Sequence, residues 1–329
     1  MPNGIMLTDT LQGYSGLLYD TKNSATPLLN SMIGRDVVVQ NREFILGQDY
    51  ESEDGTIPEI SEKSSLTAPT PSFVDTNQKK NVTMIFHETI GASYRKLSNV
   101  NQLTGLNIAG QQPNPVDVED FQIQQKMKKI AKQVENAFFN SVYNLATDNT
   151  KIDKTRGLAD AVKTNIKAAE GAQLDMWLVN EVMDKIFNKN GDISKLTLVV
   201  NGTGLNQING SAIENGLTIA PATRNENGIQ IRKLVMPLGE VDIMLDPYVA
   251  AGTAFLLNLD ALRPVHQPVP GKGNFFVEEL AKDGASNKKQ IYGQLGLDYA
   301  NELLHGQITG LSTGFTKPIG RKVVTVAQA

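Results

Sequence analysis

Five carboxylates crowd one stretch of the chain: Glu51, Glu53, Asp54, Glu59 and Glu62. Paired carboxylates can divide acid and base roles when apolar neighbours raise one of their pKa values. These five sit among polar, glycine and proline residues that would not do so. A solvated or partner-facing cluster is the better reading. The opposite charge gathers further on, at Lys126, Lys128, Lys129 and Lys132. That run reads as a solvated helix face or as a basic strip that receives an acidic partner.

Other strings with chemical potential are incomplete. Gly202-Thr203-Gly204 follows an apolar run ending at Val200, as a dinucleotide-binding turn would, but Gln207 stands where the third glycine belongs. Gly310-Leu311-Ser312-Thr313-Gly314 has the spelling of a nucleophile elbow, yet no histidine follows it. Ser93-Tyr94-Arg95-Lys96 has the S-x-x-K spacing without its partner motifs. His87-Glu88 begins like a zinc-binding helix, but position 91 is glycine. His87 is expected on the polar side of a strand, His266 in a proline-rich loop and His305 at a turn. The chain has no cysteine, which removes disulfides and thiolate chemistry. No catalytic, cofactor or metal site is expected.

The elements that carry these residues are legible in outline. Residues 36 to 90 read as one long hairpin arm. Val37, Val38 and Val39 lead to Phe44, Ile45 and Leu46, and the return strand alternates through Val82, Met84, Phe86 and Ile90. The polar excursion from Gly47 to Asn81 could reach roughly 50 Å per half, at about 3.3 Å per extended residue. An excursion that long suits a surface supplied by another subunit. Asn114 and Pro115 then form a helix start, with Asp117 in the first turn. Ile123, Met127, Ile130, Val134, Phe138, Val142 and Leu145 continue as one apolar stripe, roughly 45 Å long at 1.5 Å per residue.

A second helix is expected near Leu174 to Phe187, stopped by Asn190-Gly191. A buried strand follows at Leu196 to Val200, then a short helix near Leu205. Further strands are expected at 229–235, 241–245, 254–259, 274–280, 290–300 and 307–311. The pattern is α+β.

The chain has 329 residues, 40% of them hydrophobic, and only 6% aromatic, so its core should be mostly aliphatic. A net charge of −4 argues against a dedicated nucleic-acid reader but permits weak contact. No apolar run approaches a membrane span, and no signal-like N-terminus is visible. A soluble protein made in a reducing cytoplasm is expected, with no membrane partner.

Taken together, several segments resemble a tailed-bacteriophage major capsid protein, of the small kind without a long N-terminal scaffolding segment. "NVTMIFHETIGASYRKLS" is similar to the return strand of that family's extended loop. The helix from Asn114 resembles its spine helix, "TRGLADAVKTN" the segment after the spine, and "KLTLVVNGTGLNQI" a strand, turn and helix of its axial domain. "NFFVEELAKDGASNKKQIYGQLGLDYANELLHGQITGL" is similar to its closing strands. The acidic, proline-bearing tip from Asp49 to Ser72 departs from the pattern.

The resemblance implies a division into an N-terminal arm (1–35), an extended loop (36–95) and a peripheral domain (96–170) with a spine helix over 115–146. An axial domain (171–260), closing peripheral strands (261–311) and a tail (312–329) would follow. It implies pentamers and hexamers closing an icosahedral or prolate head around double-stranded DNA. Portal, scaffold and decoration proteins are the expected partners, with weak non-specific DNA contact. The subunit would reside in the virion capsid after assembly in the bacterial cytoplasm. The acidic tip is expected to dock on the lysine strip of an adjacent subunit. The competing readings are an encapsulin-like compartment, an α/β enzyme around Gly202, and a fibrous virion component.

Overall fold

The computed structural model describes residues 25–50, 57, 59–68, 73, 74, 76–94, 118–189, 191–214, 220–226, 229–282 and 284–315. Most of the N-terminal arm, the linker with Asn114, Pro115 and Asp117, the stop signal Asn190, and the tail beyond 315 lie outside them.

A short helix, α1 (Pro27–Ser31), opens the described chain, with proline at its favoured first position. After β1 (Val37–Val38), the strands β2 (Glu43–Tyr50) and β3 (Thr76–Val82) pair as a ribbon. The ribbon carries the short helix α2 (Glu62–Ser65) in its connection. Next come β4 (Met84–Ser93) and the long helix α3 (Val118–Asn140), then α4 (Leu158–Ala161) and β5 (Ile166–Ala168). The middle of the chain runs through α5 (Met176–Asn188), β6 (Leu196–Val200), α6 (Gly202–Glu214), β7 (Ala220–Glu226), β8 (Ile229–Met236) and β9 (Gly239–Leu245). It closes through β10 (Ala254–Asn258), β11 (Arg263–His266), β12 (Phe275–Glu279), β13 (Ser286–Asp298) and β14 (Gly306–Thr309). The fold class is α+β, as the order of apolar patterns implies.

Two sheets organise these elements. One runs β1-β11-β13-β12, with β4 paired along the other edge of β13. The second runs β5-β14-β10-β6-β9-β8-β7. β6 and β10 are buried along their whole length, which explains why they read as unbroken apolar runs. Their alternate side chains serve two cores. Leu196, Leu198, Leu256 and Ile308 pack under α5 with Val179, Val182 and Ile186. Val199, Phe255 and Leu257 face the other way, against Phe138 and Phe139 of α3. That second core continues through Phe86, Ile90, Ile291 and Leu295 of the first sheet. The long helix therefore sits between the sheets and joins them.

Several expectations change. Val37–Val39 and the 84–90 strand do not pair with each other: β1 pairs β11, and β4 pairs β13 over Met84–Ser93. β13 offers a thirteen-residue partner whose Ile291 and Leu295 extend the apolar face of β4, which β1 is too short to do. The polar stretch after Leu46 also stays paired as a ribbon as far as Tyr50. The long helix ends at Asn140, not near 146, and Val142 is exposed. Gly157 packs there, donating its N–H to the Ser141 carbonyl at 2.8 Å. A Cβ on Gly157 would lie 2.7 Å from the Ala137 carbonyl oxygen, so only glycine allows this close. Met127 is likewise half outside the stripe. The polar strand β7 was not legible, because its residues follow no apolar alternation.

His87 lies on the exposed side of β4, as expected, but His266 needs correction. His266 belongs to β11 and meets Asp36 at 3.0 Å, so it is not a loop residue. His305 is fully buried. Its Nε2 donates to the Tyr299 carbonyl at 2.9 Å, and its Nδ1 accepts the Asn258 N–H at 3.3 Å. Burial pushes the imidazole down to about 4 from 6.5. The folded state holds it neutral while the unfolded chain takes up a proton below 6.5. Stability should thus fall by roughly 3 kcal/mol as pH drops from about 6.5 to about 4. Urea midpoints measured across that range should show a steeper acid loss for the wild type than for His305→Gln. Parallel profiles would refute the assignment.

Candidate inter-subunit interface

The arm has a rigid root. Asn81 is completely buried where the ribbon leaves the body. Its side-chain amide donates to the Leu297 carbonyl at 2.8 Å, and its Oδ1 accepts the N–H of Arg156 at 2.7 Å and of Val82 at 2.9 Å. Phe44 and Leu46 are buried in the main core beside it. Gly296 permits this packing, since a Cβ there would come within 2.8 Å of the Phe44 ring. Lys79 adds an ion pair to Glu302 at 2.8 Å.

Beyond the root the described residues of the ribbon's connection are exposed. Ile57 is 88% exposed, Leu66 85%, Phe73 88% and Ile60 70%. Isolated exposed apolar residues are ordinary, but this many within one connection make it a candidate interaction surface. Burying each would contribute about 1.5–3 kcal/mol. The helix α2 keeps part of the tip ordered through a capping box between Ser61 and Ser64. Glu59 just before it and Glu62 in its first turn are exposed, whereas Glu51, Glu53 and Asp54 lie outside the described residues.

The lysine strip divides in two. Lys126 and Lys129 both grip Glu88 of β4 within the same subunit, the first at 2.8 Å. Burial alone would raise the Glu88 carboxyl, but the two ammonium groups outweigh it and hold it below the usual carboxylate range. Lys128 and Lys132, one turn apart, lie round the far side of α3 at 100° per residue. Among the described residues they make no ion pair or hydrogen bond, and both are partly exposed. The partnership of Glu88 was missed in sequence because it alternates correctly on a strand and nothing local ties it to a lysine thirty-eight residues on.

An open groove of about 480 Å³ runs between β4 and the C-terminal half of α3. Met84, Ile85, Gln133, Asn136, Asn140 and Val142 line it. Ile85 and Val142 are more than half exposed there.

The strings with enzymatic spelling have structural uses. Gly204 donates its N–H to the Asn201 side chain at 2.8 Å, which caps α6. Gly310 takes the left-handed conformation at the end of β14, with φ 68°, and Ser312 Oγ accepts the Gly314 N–H at 3.3 Å. Lys96 lies outside the described residues. Among the described residues no three metal-ligating side chains cluster, and no helix is long and apolar enough to cross a membrane.

A two-stranded ribbon and a long helix joining two sheets are the architecture of the tailed-phage capsid fold. The chain belongs to the SU10 major capsid protein family, which it matches over residues 2–312. Among solved structures it is similar to the holo-SrpI encapsulin complex from Synechococcus elongatus PCC 7942, with a TM-score of 0.61 at 12% identity over 91% of this chain and 95% of that one. The capsid of cyanophage A-1(L) gives 0.59 at 13% identity, covering 93% and 99%. The capsid of a native GTA particle gives 0.56 at 11% identity, covering 92% and 95%. No curated protein matches the chain.

Proposed function

We propose that this protein is the repeating shell subunit of a tailed-phage head, assembling as pentamers and hexamers around double-stranded DNA. The observation that carries the reading is the ribbon, rooted rigidly at Asn81 and uncovered at Ile57, Ile60, Leu66 and Phe73. A monomer leaves that area in water. A closed lattice covers it with a neighbour and repeats the gain around every capsomer. Residues 1–35 then serve as an arm and 36–95 as the extended loop. Residues 96–170 with 261–311 are peripheral, and 171–260 gather around the capsomer axis. Assembly would take place in the host cytoplasm, with portal and scaffold as partners and no catalytic role. Negative-stain microscopy of the purified full chain should reveal closed particles. Persistent monomers under every assembly condition tried would count against the reading.

The acidic tip, including Glu59 and Glu62, is proposed to meet Lys128 and Lys132 of an adjacent subunit, because Glu88 already occupies Lys126 and Lys129. Each exposed pair contributes only about 0.2–1 kcal/mol. The double change Lys128→Glu with Lys132→Glu should raise the concentration needed for assembly about 2- to 10-fold. Added salt should shrink that difference. Light-scattering assembly curves that coincide with the wild type at low salt would rule this docking out.

The likeness to the SrpI encapsulin supports a second reading, a cargo-enclosing shell with the same subunit fold. Particles that package DNA and carry a portal at one vertex would favour the phage head.

A further inference from the structure

Two carboxylates outside the arm and the lysine strip are completely buried: Glu135 on α3 and Asp246 in the turn after β9. They lie against each other, close enough to hydrogen-bond. Neither has a cationic partner among the described residues. The other titratable group acting on them is Tyr248, whose phenol is raised by burial and by the same two carboxylates. Two adjacent buried carboxylates cannot both be charged without a large cost.

The hydrogen bonds show where a proton fits. Glu135 Oε1 accepts the N–H of Leu28 at 2.7 Å, and Oε2 accepts that of Leu29 at 2.8 Å, so both its oxygens hold α1 in place. Asp246 Oδ1 accepts the Tyr248 N–H at 2.8 Å. Asp246 Oδ2 is buried without a hydrogen bond of its own, because the nearby Leu28 amide is taken by Glu135. A proton held between Oδ2 and Glu135 gives Oδ2 its partner while both Glu135 oxygens still accept from α1. Asn140 of α3 ties the same turn from the other side, donating to the Tyr248 carbonyl at 2.9 Å.

We propose that Glu135 and Asp246 share a single proton, and that this proton is a latch holding α1 and the β9 turn together on the long helix. When it is lost, the second negative charge repels the first at a place that water does not reach. The cheapest relief is to let α1 leave and admit water. The device does not depend on whether the subunit is assembled. Burial pushes both carboxyls up, and the facing Asp246 adds to this at Glu135, to about 9 from 4.5, so the single proton belongs to the pair rather than to either residue. Since the folded pair binds the extra proton, its stabilisation is full below the ordinary carboxylate range and declines as pH rises toward about 9. The latch is closed at neutral pH and opens in base.

Asp246→Asn tests this directly, because its amide replaces the shared proton with an N–H that cannot ionise. Limited proteolysis of the full-length chain, compared at matched pH, should cut between residues 26 and 35 equally in both proteins near pH 7. By about pH 10 the wild type should be cut at least about tenfold faster than the variant. Equal ratios at both pH values would overturn the proposal. Should the variant fail to fold, infrared spectra of the wild type decide. A protonated-carboxyl stretch present near pH 7 and lost by about pH 10 supports the shared proton, and its absence near pH 7 overturns it.

Discussion

Removing residues 51–72 is expected to leave a folded, soluble subunit that makes at least about tenfold fewer closed shells. The two halves of the prediction have separate causes. Folding survives because the ribbon's attachment lies elsewhere: Asn81, Phe44, Leu46 and Val82 are all on the body side of the deletion. Tyr50 pairs with Thr76, so the cut leaves Phe73, Val74 and Asp75 to close the hairpin. Three-residue connections are common in β-hairpins. Assembly fails because Ile57, Ile60 and Leu66 leave with the segment, together with all five carboxylates of the tip. Each lost contact is modest, but a lattice multiplies it. Thermal scans should find a midpoint within a few degrees of the wild type, since surface changes seldom exceed about 0.5 kcal/mol. Electron micrographs full of normal particles would refute the role given to the arm.

Phe139→Ala should be among the most damaging single changes to stability, at about 3–5 kcal/mol. Phe139 is completely buried on the long helix, and its ring lies 5.6 Å from that of Phe255 on β10. Truncation opens a cavity and also removes an aromatic pair contributing about 0.5–1.5 kcal/mol. The position matters more than the residue type. Phe255 belongs to the seven-stranded sheet, and the same core reaches Ile291 and Leu295 of the other sheet. A void here loosens the helix from both. The melting temperature should fall on the order of 10 °C. Phe187→Ala is the contrasting change, because Phe187 is 58% exposed at the end of α5. It should shift stability by no more than about 0.5 kcal/mol. Equal losses from the two variants would show that α3 does not join the sheets as described.

Much of the fold was legible because burial leaves a periodic signature. The long helix announced itself through Ile130, Val134 and Phe138, and β6 and β10 through unbroken apolar runs. α5 was marked by Leu174, Val182 and Ile186, with Asp175 accepting the Leu178 N–H at its start. These patterns reflect one element meeting one core. Pairing between distant strands left no such mark. Nothing near Val37 says that it will lie parallel to Val265, and nothing near Met84 selects Leu295 as its partner. Strand pairing is chosen by the whole set of competing faces, so a ribbon does form within residues 36 to 90, but between other strands than those read.

The candidate surfaces divide along the same line. Residue types alone determined that the carboxylates of the tip lack apolar neighbours and that no string completes a catalytic motif. They also placed four lysines on one helix. Tertiary structure decided which of those lysines remain unpaired, because Glu88 reaches α3 only after β4 packs beneath it. It likewise decided that Glu135, ordinary in a helix of charged residues, is sealed against Asp246 and the amides of α1. The physical reason is common to both. A charge in water is set by its own chemistry, whereas a buried charge is set by whichever distant groups the fold brings within reach.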